Sequence, residues 1–248
     1  MTADRPNESE PLVPPTVPPT EPPSGSSPWP GRILVAAAIA AVVIGGVVVR
    51  QVIFAPDPYE QALQDATEPL MESADFEARY GTVSEDEAQS IGVELGANAI
   101  GHLSDADLQE YFAITLQIME ALEPETCARV LAGSVESEAI MVAARQLDVD
   151  TFTHYVEVLM AGARSELAGE APPEAPTEAE LQGSFVALAD QLGQDRALEV
   201  FTIAGDPALH PAEEACEATL ELLNAILEVP EADRQGLLRF MAAEASAG

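Results

Sequence analysis

The sequence predicts an all-α protein: a single N-terminal transmembrane helix followed by an acidic multi-helix domain. Three observations carry that prediction. Residues 33–49, ILVAAAIAAVVIGGVVV, contain no charged or hydrogen-bonding side chain. Beyond residue 57 the chain is rich in Ala, Leu, Glu and Gln, whose side chains lose little rotamer freedom in a helix, whereas aromatic residues make up only 5% of the whole sequence. Finally, a hydroxyl residue stands three positions before a glutamate at Ser84 and Glu87, and again at Thr177 and Glu180. That spacing lets each side chain satisfy an amide left unpaired at a helix start.

The 248 residues divide accordingly into a proline-rich tail (1–31), a signal anchor (32–54) and an acidic helical domain (55–248). In the tail, PLVPPTVPPTEPP repeats Pro-Pro-Thr between Pro14 and Pro23. Proline fixes φ and removes an amide donor, so this stretch is expected to be disordered, extended polyproline II without a core. Its P-x-x-P spacings, such as Pro15 to Pro18, suit an aromatic-lined groove, and a solvated spacer is the simpler meaning.

Crossing a hydrocarbon core takes roughly 20 apolar residues. Residues 33–49 nearly suffice, and Val52, Ile53 and Phe54 add a turn if Arg50 extends its guanidinium back to the headgroups. Trp29 and Phe54 then fall near the two interfaces. The following IFAPDP has Ile53 where a cleavage site needs a small residue, so the segment reads as an uncleaved anchor in contact with membrane lipid through residues 32–54. Arg5 and Arg32 on one side barely outweigh Arg50 on the other. The acidic body tips the expectation toward a cytoplasmic N-terminus, an inner-membrane location and an extracytoplasmic domain. Ala37, Ala41 and Gly45 form a small-residue stripe through which two spans can approach, the expected route to a homodimer.

Helices are expected near residues 58–79, 84–100, 104–122, 124–132, 135–147, 149–168, 177–192, 194–204, 211–228 and 230–244. Leu108, Tyr111, Phe112, Met119 and Leu122 recur at helical spacing, as do Phe152, Val156, Leu159, Ala163 and Leu167. The prolines of GEAPPEAPTEAE break the series into halves near 57–168 and 177–245. LQIMEALEPE from Leu116 and LELLNAILEVPE from Leu220 share an apolar helix ahead of a Pro-Glu start. This suggests two related helical-hairpin units, an architecture that often presents a protein-binding groove.

The formal charge is −33, and all ten basic residues are arginine. Such a chain repels phosphate, which argues against nucleic acid as a partner. High-GC coding or a salty habitat accounts for this composition more readily than a dedicated acidic binding surface.

Cys127 and Cys216 both fall on the apolar sides of their helices, ahead of Val130 and Leu131 and of Leu220, Leu223 and Leu227. In an oxidising compartment they are expected to form a disulfide joining the halves. His102, His154 and His210 show no i, i+4 pair, and His154 has only Glu157 one turn away, so no metal site is expected. Asp148 and Asp150 begin like a calcium loop, but Phe152 occupies the next ligand position. Phosphate-binding glycine loops, nucleophile elbows and CxxC are missing, so neither catalytic nor cofactor-binding residues are assigned. The leading expectation is a non-catalytic envelope scaffold that binds another protein. Alternatives are a hydrolase with carboxylates contributed by both halves, and a weak cation or pH sensor.

Overall fold

The structure, a computed structural model, describes residues 57–132 and 137–246. The proline-rich tail, the apolar run and the Ala37, Ala41, Gly45 stripe lie outside the described residues. Among those described there are eleven α-helices, one turn of 3-10 helix at Pro207–Leu209 and no strand. The first half contains α1 (Pro58–Met71), α2 (Ala74–Tyr80), α3 (Glu85–Gly101), α4 (Asp105–Glu120), α5 (Pro124–Leu131), α6 (Ser137–Ala144) and α7 (Val149–Leu167). The second contains α8 (Glu178–Leu192), α9 (Gln194–Gly205), α10 (Ala212–Glu228) and α11 (Glu231–Ser246).

The helix starts follow the side chains that can cap them. Ser84 and Thr177 form complete capping boxes: their backbone amides donate to Glu87 Oε2 and Glu180 Oε2 at 2.9 and 2.8 Å, and their hydroxyls accept from the glutamate amides. Ser104 starts α4 by accepting from the Asp107 amide. Asp148, the first residue of the failed calcium pattern, instead caps α7 by accepting from the Thr151 amide at 2.9 Å.

One expected helix is corrected. The chain over 58–79 is two helices, because Ser73 ends one and begins the next. Its hydroxyl donates to the Leu70 carbonyl at 2.7 Å and accepts from the Phe76 amide at 3.2 Å. Pro69, inside the last turn of α1, already deprives that turn of one amide donor.

Helix α7 is the axis of the first half, packed between α1 and α3 and touching α2 and α4. Phe152, Tyr155, Val156, Leu159 and Ala163 are fully buried along it. Its crossing with α3 is very close at Gly162: a Cβ built there would lie 2.2 Å from the Ala99 carbonyl oxygen. In the second half α11 packs on α8, and α10 on α9. The halves are not independent, because α10 also packs on α5 and α4, while α11 packs on α3 and α4. A single hydrophobic cluster therefore draws on both, from Leu63 and Leu70 through Met119 and Leu159 to Leu223 and Leu238. The likeness between the halves extends to the two capping boxes, but the helix after Pro124 has 8 residues and the one after Pro230 has 16.

Arg239 ties the halves together electrostatically. This arginine is buried, and its guanidinium donates to the carbonyls of Leu103 at 2.9 Å and Gly101 at 3.4 Å, at the end of α3. It also pairs with Asp105 at 2.5 Å, at the start of α4. One side chain from α11 thus satisfies the carboxyl end of one helix and neutralises an acid at the amino end of the next. Arg239→Met keeps the aliphatic stem and strands these acceptors. Because Asp105 is half exposed and can rehydrate, the expected loss is about 2 kcal/mol, below that of a fully buried pair, read from urea midpoints.

The boxes also predict a pH effect. The hydroxyl of Thr177, followed by its amide, holds the Glu180 carboxyl below the ordinary value of 4.5. A carboxyl lowered by folding stabilises above its unfolded value, and that stabilisation is lost as pH falls through the lowered one. Glu180→Ala is therefore expected to be less stable than the parent at neutral pH. Thermal melts should show that gap narrowing below pH 4.5.

Candidate functional site

The expected pairing of the two cysteines is present. Cys127 on α5 and Cys216 on α10 form a disulfide with a Cα–Cα separation of 5.8 Å, bridging 89 residues. Both face the core, at 0% and 5% exposure, because each lies on the apolar stripe of its helix. The bond fastens the first half to the second where α5 and α10 pack.

The histidines do not converge. His154 pairs not with Glu157 but with Glu110 on α4, at 2.5 Å. His210 lies 3.7 Å from Glu214. His102, at the end of α3, approaches the Ser165 hydroxyl at 3.5 Å. Among the described residues, no group of three or more His, Cys, Asp or Glu side chains is arranged to hold a metal ion.

Ser165 belongs to a cleft that sequence spacing did not reveal, a space of about 400 Å³ between the end of α1, the start of α2 and the last turns of α7. Leu70 and Leu167 contribute apolar wall, and Asp75, Arg164 and, from the linker, Glu170 also line it. Ser165 donates to Glu170 Oε2 at 2.7 Å. A serine between a histidine and a carboxylate invites comparison with a nucleophile, and the backbone argues otherwise. The amides of Ala168, Gly169 and Glu170 all donate to carbonyls of α7, namely those of Arg164, Glu166 and Ser165. They are thus committed and do not supply the free backbone donors that stabilise an oxyanion.

A second cluster lies beside the cleft. Glu166 is buried to 9% exposure and pairs through Oε1 with Arg79 Nη1 at 2.7 Å. Its other oxygen and the Tyr80 hydroxyl are both buried without a hydrogen-bond partner. Burial pulls the Arg79 pKa down, but the bond from Glu166, with support from Tyr80 and Glu94, outweighs it, so the guanidinium stays firmly charged. Burial likewise pushes the Tyr80 phenol up against the opposing pull of Arg79. Deeper in the core the rings of Tyr111 and Tyr155 stack 5.3 Å apart, and burial raises both phenols.

Carboxylate catalysis usually needs an acid whose pKa is raised. Three carboxylates with shifted values are Glu87, Asp148 and Glu180. All three are lowered, chiefly by a neighbouring hydroxyl and then by the amides they cap. They are helix-cap residues, not members of a shared cleft.

The fold and site define a class: an all-α acidic domain whose two halves share a core and a disulfide. No protein family, curated protein or solved structure matches the chain.

Proposed function

We propose that this chain is a membrane-tethered, non-catalytic interaction module, with its helical domain held outside the cytoplasm at the inner membrane. The observation that carries the reading is the Cys127–Cys216 disulfide, since such bonds persist in oxidising compartments. It agrees with the apolar run at 33–49, which is long enough, with its continuation, to anchor the domain. Among the described residues no helix is long and apolar enough to cross a membrane.

The surface supports the interaction half of the reading. Leu198 and Leu209 are 71% and 76% exposed, and Val186 is 58% exposed, all in the second half. Of the 43 carboxylates only four precede residue 57, as do three of the ten arginines, leaving the domain at −32. A partner with a basic surface and apolar anchors would complement it.

An impermeant protease applied to intact cells tests the location, and maleimide labelling of the denatured protein before and after reduction tests the disulfide. Digestion of the domain in intact cells, with labelling only after reduction, supports an oxidised external domain. Free thiols in a protected compartment overturn it. Affinity capture of the full chain from gently solubilised membranes tests the module, and failure to recover any specific partner counts against it.

A further inference from the structure

We propose that the cleft between α1, α2 and α7 binds a small zwitterion, an aliphatic amino acid or short peptide with a free carboxylate and a free ammonium group. The inference goes beyond the reading above and stands on the charges that line the cleft. The domain has 39 carboxylates for seven arginines, so an arginine has abundant acids to pair with. Arg79, Arg145, Arg196 and Arg239 each hold carboxylates. Arg234 donates to the carbonyls of Leu227 and Val229, and Arg129 to the Thr126 hydroxyl. Arg164 alone has no partner among the described residues, and it lines the cleft.

Asp75, in the first turn of α2, lines the same cleft and is likewise unpaired among the described residues. Two exposed, opposite charges thus line one cleft and form no ion pair with each other. Glu170 adds a second carboxylate, one oxygen of which is held by Ser165. His102 Nδ1 lies 3.5 Å from the same hydroxyl.

A simple anion would satisfy Arg164 but would be repelled by the −32 domain and would leave Asp75 unused. A simple cation would leave the exposed guanidinium with water as its only partner. A zwitterion satisfies both, its carboxylate forked by Arg164 and its ammonium set between Asp75 and Glu170. Leu70 and Leu167 offer apolar wall to an aliphatic side chain. A volume of about 400 Å³ lies within the range of small-molecule sites and admits a residue or a short peptide.

Calorimetry on the purified full chain in detergent micelles, titrated with L-leucine and with L-alanyl-L-leucine, tests the proposal. Two single-charge analogues, 4-methylpentanoate and isopentylamine, serve as comparators. Saturable heat is expected with at least one zwitterion, and binding at least about tenfold weaker with each analogue. Arg164→Gln and Asp75→Asn should each weaken binding about tenfold while lowering the melting temperature by no more than about 4 °C, since each side chain loses only its interaction with a helix end. Ala161→Phe fills the cleft without altering its charges and should abolish binding. The proposal is overturned by no saturable heat with either zwitterion, by equal binding of a single-charge analogue, or by full-strength binding to Arg164→Gln or Ala161→Phe.

Discussion

Replacing Gly162 with alanine is expected to destabilise the domain by about 3 kcal/mol, although alanine is the better helix former. In an open helix this exchange gains roughly 1 kcal/mol. At Gly162 the added methyl would lie 2.2 Å from the Ala99 oxygen, 2.9 Å from its carbon and 3.0 Å from Leu103 Cδ2. Two of these atoms are backbone, so a side-chain rotation cannot relieve the overlap and α3 must move away from α7. That movement loosens the contacts around Phe152, Leu159 and Ala163 on α7. Gly183 on α8 provides the internal control: a Cβ there meets nothing within 4 Å. Gly183→Ala should therefore stabilise by about 0.5 to 1 kcal/mol. Urea unfolding of the two variants should give shifts of opposite sign, and equal shifts would refute the close crossing.

Removing the disulfide should have an effect of similar or greater size. The bond closes a loop of 89 residues, for which chain entropy gives a stabilisation of about 4 to 5 kcal/mol. Its loss in the paired Cys127→Ala, Cys216→Ala variant is expected to lower the melting temperature on the order of 10 °C. Alanine avoids placing hydroxyls at two buried positions, so the shift reports mainly the cross-link. Under native conditions a mild reductant should act slowly, because both sulfurs are enclosed by the core. A melting temperature indifferent to the substitutions would show that the link does not constrain the unfolded chain.

The fold class was legible because its signals are local. Ser84 with Glu87 and Thr177 with Glu180 marked two helix starts that the structure realises. The disulfide could be read because each cysteine sits in register with neighbouring apolar residues, and register fixes which way a side chain points. The break at Ser73 was missed because its third following residue is Phe76, not a glutamate, so no reciprocal box advertised the cap.

Distances between helices were not legible. Gly162 sits in a run of good helix formers, and helical period says nothing about how near α3 passes. The cleft escaped notice for the same reason. Ser165 and His102 are 63 positions apart, and Asp75 is farther still from Arg164. Spacing along the helix offers His154 only Glu157, whereas its partner Glu110 arrives from α4. Arg239 offered a signal that spacing arguments passed over, a lone cation in LLRFM, where burial demands acceptors.

The exposed stretch at 170–176, between α7 and α8, is free of helix and strand and carries two glutamates. A glutamate-specific protease cutting at Glu174 would sever the polypeptide but would not release either piece. The sulfur bridge joins residues on either side of the cut, and the pieces keep their shared interior. The nicked product should elute at the parent's size and split into two bands only when reduced and denatured together. A protein of this build can lose the continuity of its backbone in a protease-rich surrounding and still remain one body.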